Sequence, residues 1–139
     1  MGVVTSFREL RVYRDAFRAS MDIFALSKSW PKEERYALTD QIRRSSRSVF
    51  ANVAEAWRKR RYPKHFTSTL TQADAEAAET QAWLDCAVAC GYLDQEVRDA
   101  LNTTYDRIIG SLVKMRHNAD RWCGPSNIVR EEHAAYFAD

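Results

Sequence analysis

Apolar residues return every three or four positions along four stretches of this chain, and no stretch shows the strict alternation of a half-buried strand. In the first, Leu10, Tyr13, Phe17, Ser20 and Phe24 make the stripe, with Ala16 and Met21 widening it. The second has Leu38, Ile42, Ser46 or Ser45, Val49, Val53 and Ala56. The third has Phe66, Leu70, Ala73, Ala77, Thr80, Leu84 and Ala87, and the fourth Leu101, Tyr105, Ile108, Leu112, Met115, Ala119 and Trp122. A period near 3.6 predicts an amphipathic helix in each case, so the expected fold class is all-α.

Trp30-Pro31, Tyr62-Pro63, Gly91-Tyr92 and Gly124-Pro125 punctuate these stretches. Pro31 and Pro63 suit the first turn of a helix, where the missing N–H costs nothing, and Glu33 and Glu34 give the second helix an acidic start. Gly91 can take the left-handed conformation that closes the third helix, and Asp94 is a candidate N-cap for the fourth. Links this short force successive helices to run antiparallel. The expectation is an up-down-up-down four-helix bundle over residues 1–123, with residues 124–139 as a separate C-terminal arm or short helix. Three helices of about 28 residues would each reach about 40 Å.

Composition adds bounds. A chain of 139 residues, 45% of them hydrophobic and 29% charged, fits one domain with a real core. No apolar run approaches the roughly 20 residues of a membrane span, and the N-terminal sequence lacks the apolar segment of a signal peptide. A cytoplasmic protein without a membrane partner is expected, with its three cysteines reduced.

Charge changes the picture more. The net charge of +2 conceals a division. Residues 43–64 carry Arg43, Arg44, Arg47, Arg58, Lys59, Arg60, Arg61 and Lys64 against Glu55, whereas residues 65–97 carry six acids and no Lys or Arg. On a helical wheel the second helix turns Leu38, Ile42, Val49, Val53 and Ala56 to the core. Gln41, Ser45, Ser48, Asn52 and Glu55 form a polar stripe beside it. Away from the core run Arg44, Arg47, Ala51, Ala54, Arg58 and Arg61. As a solvated face, this seam is explained in part by the helix dipole, which favours cations at Arg58 to Arg61. Yet like charges one turn apart repel by a few tenths of a kcal/mol per pair. A nucleic-acid backbone along the seam would relieve that repulsion, and so would the acidic third helix of a neighbouring subunit.

Gln41, Asn52 and Glu55 read as a structural hydrogen-bonded network that sets helix register. Glu55 has no acid, His or Cys partner placed by local spacing, so it is a poor catalytic candidate. Cys86 and Cys90 share a helix face but fall short of a tetrahedral metal set, and read as small buried packing residues. His65, His117 and His133 are scattered, and four glycines make no phosphate loop. Trp30, Trp57, Trp83 and Trp122 read as core or interface anchors. No enzyme, metal or cofactor is expected.

The segments "FRELRVYRDA" (7–16), "WPKEERYALTDQIRRSSRSVFANVAEA" (30–56), "ETQ" (79–81) and "GYL" (91–93) resemble a family of bacterial four-helix bundle proteins. These are encoded by intervening sequences within large-subunit ribosomal RNA genes, and the broad family includes the accessory variability determinants of diversity-generating retroelements. The resemblance covers about residues 7 to 122. It implies a protomer that assembles into a ring-like homopentamer, with a basic surface for RNA or DNA and, in the retroelement branch, a reverse transcriptase partner. The chain departs from the family at Phe50 and Ala56, where proline and glycine are usual, so a straighter second helix is expected.

Together these readings point to a non-enzymatic nucleic-acid-binding accessory protein. Arg44, Arg47, Arg58, Lys59, Arg60, Arg61 and Lys64 are its candidate phosphate contacts, and Arg43 faces elsewhere, toward an interhelical or intersubunit pair. The competing reading is an oligomeric scaffold for a protein client.

Overall fold

A computed structural model describes residues 3–123. After a short 3-10 turn at Phe7–Glu9, the helices are α1 (Arg11–Ser27), α2 (Leu38–Arg58), α3 (Pro63–Ala89), α4 (Gln95–His117) and the brief α5 (Ala119–Cys123). Packing runs around a square, α1 on α2, α2 on α3, α3 on α4 and α4 back on α1, which is the up-down arrangement that the short links require. The proposed C-terminal arm, 124–139, lies outside the described residues.

The core stripes of α2, α3 and α4 are the expected ones. Ile42, Val49, Val53, Ala56, Phe66, Leu70, Ala73, Ala77, Leu84, Ala87, Leu101, Tyr105, Ile108, Leu112 and Met115 are all buried. The first helix is different. Its buried face is Val12, Ala16, Ala19, Ser20 and Ile23, while Phe17 is 41% and Met21 37% exposed. Of the expected stripe Leu10, Ala16 and Ser20 are buried, but Tyr13 and Phe24 are half-buried and Phe17 exposed, so the core face is corrected by about one residue's rotation. Both seams of α1 are apolar, and a close-packed centre already filled by Phe66, Leu70 and Tyr105 accommodates the smaller one. The displaced aromatics gather outside, with Phe17 edge-on to Phe50 of α2 at 5.1 Å and Tyr13 edge-on to Phe7 at 4.9 Å.

Helix limits also shift. Pro31, Glu33 and Glu34 do not open α2. Glu33 and Glu34 lie in a separate 3-10 turn, Lys32–Glu34, with Pro31 at its N-cap, and the backbone leaves the helical path at Ala37 (φ −122°, ψ −108°) before α2 begins. Glu34 still serves that helix, because its carboxylate accepts the Leu38 amide at 3.3 Å. The same carboxylate accepts the Tyr92 hydroxyl at 2.9 Å, which pushes the Tyr92 phenol up to about 12. Of the long helices only α3, with 27 residues, approaches 40 Å. The fourth stretch ends at His117, and Trp122 belongs to α5. α2 runs unbroken through Phe50 and Ala56.

Pro63 does sit in the first turn of α3. At the other end Gly91 adopts φ 81°, and Tyr92 N–H reaches the Ala87 carbonyl at 2.9 Å while Gly91 N–H reaches that of Val88. This is a Schellman closure, which strongly favours glycine at the left-handed position. Asp94 occupies the N-cap position of α4 but makes no side-chain cap bond.

A hydroxyl layer crosses the core. Ser20 of α1 lies 3.1 Å from Ser46 of α2, and Ser45 of α2 lies 2.8 Å from Thr80 of α3, all four side chains being buried. Each pair fixes one helix against the next, because a slip would bury the hydroxyls unpaired. Thr80→Val keeps the shape and removes one partner, while Ser45 retains the Ile42 carbonyl at 3.3 Å. A loss of about 1 kcal/mol is expected from the urea midpoint. The Ser45→Ala/Thr80→Val double variant should cost less than the sum of the singles.

Candidate nucleic-acid interface

The outer face of α2 carries Arg44, Arg47, Ala51 and Arg58 exposed to solvent, with Ala54 half-buried. Arg44 has an i,i−4 partner that the sequence reading passed over, Asp40, but the pair is 3.9 Å apart and well exposed, so it contributes little. Because α2 ends at Arg58, Arg61 is not on the seam. It lies in the turn that leads into α3.

The seven candidate contacts are not equivalent. Arg60 folds inward: its guanidinium stacks 3.5 Å above Trp57, and its Nε donates to the Trp57 carbonyl at 2.8 Å. Burial lowers its pKa, and its packing role at the bundle end removes it from the freely presented cations. Lys59 is half-buried and reaches the Thr69 hydroxyl at 3.4 Å. Arg44, Arg47, Arg58, Arg61 and Lys64 remain exposed. Arg43 faces elsewhere, as expected. Its Nε donates to Ser27 at 2.9 Å and its guanidinium lies 4.7 Å over Phe24, so it ties α2 to the C-terminal turn of α1.

The expected network of Gln41, Asn52 and Glu55 does not form. Asn52 donates back to the Ser48 carbonyl and hydroxyl, Glu55 is exposed, and neither Gln41 nor Glu55 has a side-chain hydrogen bond among the described residues. These positions flank the core rather than face it, and the register-setting network is the hydroxyl layer one stripe further in. Gln41, Arg44, Arg47 and Ser48 instead line a shallow groove of about 520 Å³ whose opposite wall is Glu76 and Glu79 of α3.

The acids of α3 have partners within the chain. Arg116 of α4 reaches Asp74 at 2.9 Å and Arg98 reaches Asp85 at 2.8 Å. Glu79 accepts the Trp83 indole N–H, and Glu76 accepts from Gln72. Much of the acidic partner that a neighbouring α2 would need is thus already engaged. Sequence reasoning missed this because Arg98 and Arg116 lie more than ten residues away on α4, and only the fold brings them over.

Cys86 is half-buried and packs against the core, Cys90 is exposed and Cys123 buried, all as free thiols, so the reading of the pair as buried packing is corrected at Cys90. Cys90 is the C-cap residue, just beyond the buried face that α3 presents through Leu84 and Ala87. Burial and contact with Cys90 push the Cys86 thiol up, away from the reactive thiolate. Trp30 and Trp57 are buried, and Trp83 and Trp122 pack half-buried against the core. Among the described residues no His, Cys, Asp or Glu cluster could hold a metal ion, and no helix is long and apolar enough to cross a membrane.

The family model described as 23S rRNA-intervening sequence protein matches residues 8–114. Among solved structures, this chain is similar to a Bacteroides thetaiotaomicron VPI-5482 protein of unknown function from the S23 ribosomal protein family. The two share 26% identity and a TM-score of 0.69, over 76% of this chain and 95% of that one. No functionally curated protein matches the sequence.

Proposed function

The chain belongs to the 23S rRNA-intervening sequence protein family, and from that premise we propose that it is a non-enzymatic accessory protein that binds RNA or DNA through phosphate contacts. The observation that carries this reading is the exposed set of Arg44, Arg47, Arg58, Arg61 and Lys64. Among the described residues its one ion pair is the long contact of Arg44 with Asp40; Asp74 and Asp85 of α3 are paired with α4 arginines, and Glu76 and Glu79 flank the set across the groove. A basic surface with so few ion pairs attracts a polyanion through counterion release, without sequence preference. The proposal includes a homo-oligomer, a pentamer, and a reverse transcriptase or other RNA-handling protein as client.

The test is affinity for a structured RNA and a duplex DNA across a salt series. It compares wild type with the Arg44/Arg47/Arg58/Arg61→Ala variant, after their oligomeric masses are matched. Four phosphate contacts give log K against log salt a slope of about −3 to −4, and the variant loses most of it. No binding by wild type at low salt, with the oligomer intact, overturns the proposal.

A second reading, an oligomeric scaffold without nucleic acid, sets the basic face of α2 against the acidic helix of a neighbouring subunit, and draws as well on the exposed Met21 and on Phe17, exposed beside Phe50. Arg44→Glu with Arg58→Glu separates the two. A dissociated oligomer supports the scaffold, and an intact oligomer that has lost RNA supports phosphate binding.

A further inference from the structure

The densest basic cluster of the chain contains one aromatic side chain. Residues 58–64 read Arg-Lys-Arg-Arg-Tyr-Pro-Lys, with no acid, and Tyr62 is 52% exposed. It is not part of the apolar core cluster or of the residues packed against it. It is held in place nonetheless. Arg61 donates from Nη2 to the Tyr62 hydroxyl at 2.9 Å, and its guanidinium carbon lies 5.0 Å from the ring centroid. His65 approaches the same ring edge-on at 5.8 Å. The backbone is fixed as well, because Tyr62 N–H bonds the Lys59 carbonyl and the Tyr62 carbonyl accepts the Phe66 amide, both at 2.9 Å. No side chain caps α3 at this point.

A half-exposed aromatic ring fixed by polar neighbours contributes little to the core, and a ring amid cations suits a flat partner bearing negative charge. A nucleotide base beside its phosphate is such a partner. Base-on-aromatic stacking requires an unpaired base, since the faces of paired bases are stacked on one another inside a duplex. Resting on the polyanion reading above, we infer that Tyr62 is a base-stacking platform and that the ligand class of this surface is single-stranded or looped nucleic acid. Arg61 and Lys64 hold the phosphates on either side of the stacked nucleotide. Tyr36 supplies an internal control. It is also exposed, at 83%, and also faces an arginine, Arg35 at 5.2 Å, but it has Glu33, Glu34 and Asp40 as sequence neighbours.

The experiment measures dissociation constants of the full chain for an oligouridylate and for an RNA duplex of equal length, for wild type, Tyr62→Ala, Tyr62→Phe and Tyr36→Ala. Stacking of one base is expected to make Tyr62→Ala weaker on the single strand by about 5- to 100-fold. Its duplex affinity and salt slope should stay at wild-type values. Tyr62→Phe keeps the ring and retains single-strand binding, and Tyr36→Ala matches wild type. Equal losses on both nucleic acids, or none on either, overturn the stacking role while leaving phosphate binding standing. Single-strand binding lost in Tyr62→Phe as well overturns it too, because the hydroxyl rather than the ring would then be responsible. If wild type binds neither nucleic acid at low salt, both readings fall together.

Discussion

Phe66→Ala is expected to lower the stability of the bundle by about 3–5 kcal/mol, and Phe17→Ala by less than about 1 kcal/mol. Phe66 is fully buried in the first turns of α3, whose core face otherwise includes Ala73, Ala77 and Ala87. Alanines let α3 approach its neighbours closely but fill little volume, so the few large side chains on that face supply most of its packing. A cavity left at Phe66 cannot be closed by small neighbours, and cavity cost rises with the volume left unfilled. Against a total stability of about 5–15 kcal/mol, the loss is a large fraction of the whole. The melting temperature should fall by roughly 10 °C or more. Phe17 is the control for the rotation of α1. A loss at Phe17 as large as that at Phe66 would mean that the aromatic seam, rather than Val12, Ala16, Ala19 and Ile23, faces the core.

Tyr105→Phe should act in the opposite direction and depend on pH. Tyr105 is fully buried in α4, and its hydroxyl has no hydrogen-bond partner among the described residues. Removing an unsatisfied buried hydroxyl while keeping the ring is expected to raise stability by about 1 kcal/mol at neutral pH. Burial, aided by the negative charge of Asp22, pushes the Tyr105 phenol well above its ordinary 10. The folded state therefore keeps its proton to higher pH than the unfolded state does. Below pH 10 neither state has released the proton and the contribution is whole. Above it the unfolded state ionises first, and wild type loses about 1.4 kcal/mol per pH unit from this group. The phenylalanine variant lacks that loss, so its advantage widens between pH 10 and 11. Tyr92, raised to about 12 by Glu34, loses its contribution in the same direction and is present in both proteins, so their difference isolates Tyr105. Urea unfolding at pH 7.5, 10 and 11 gives the comparison, and a variant less stable than wild type at neutral pH would show that the hydroxyl has a partner.

The amino-acid sequence by itself determined the all-α class, the neighbour-to-neighbour packing, and three of the four core stripes. The reason is local: a stripe at Phe66, Leu70, Ala73, Ala77, Thr80, Leu84 and Ala87 admits one buried face, and short links leave antiparallel packing as the solution. Gly91 was legible for the same reason, since its left-handed turn is a property of the residue. The candidate site was legible as a composition, a run of cations from Arg44 to Lys64, but not as a geometry. Which of two apolar seams of α1 turns inward depends on how much room the other helices leave. Whether Arg60 meets solvent or Trp57 depends on where α2 stops. Whether Asp74 and Asp85 of α3 are available to a partner depends on Arg116 and Arg98, which only the packing of α4 brings to them. Periodicity reports which face of a helix is apolar. Competition among faces, and pairing between charges far apart in the chain, are settled by the volume and position of neighbours, and those exist only in the assembled bundle.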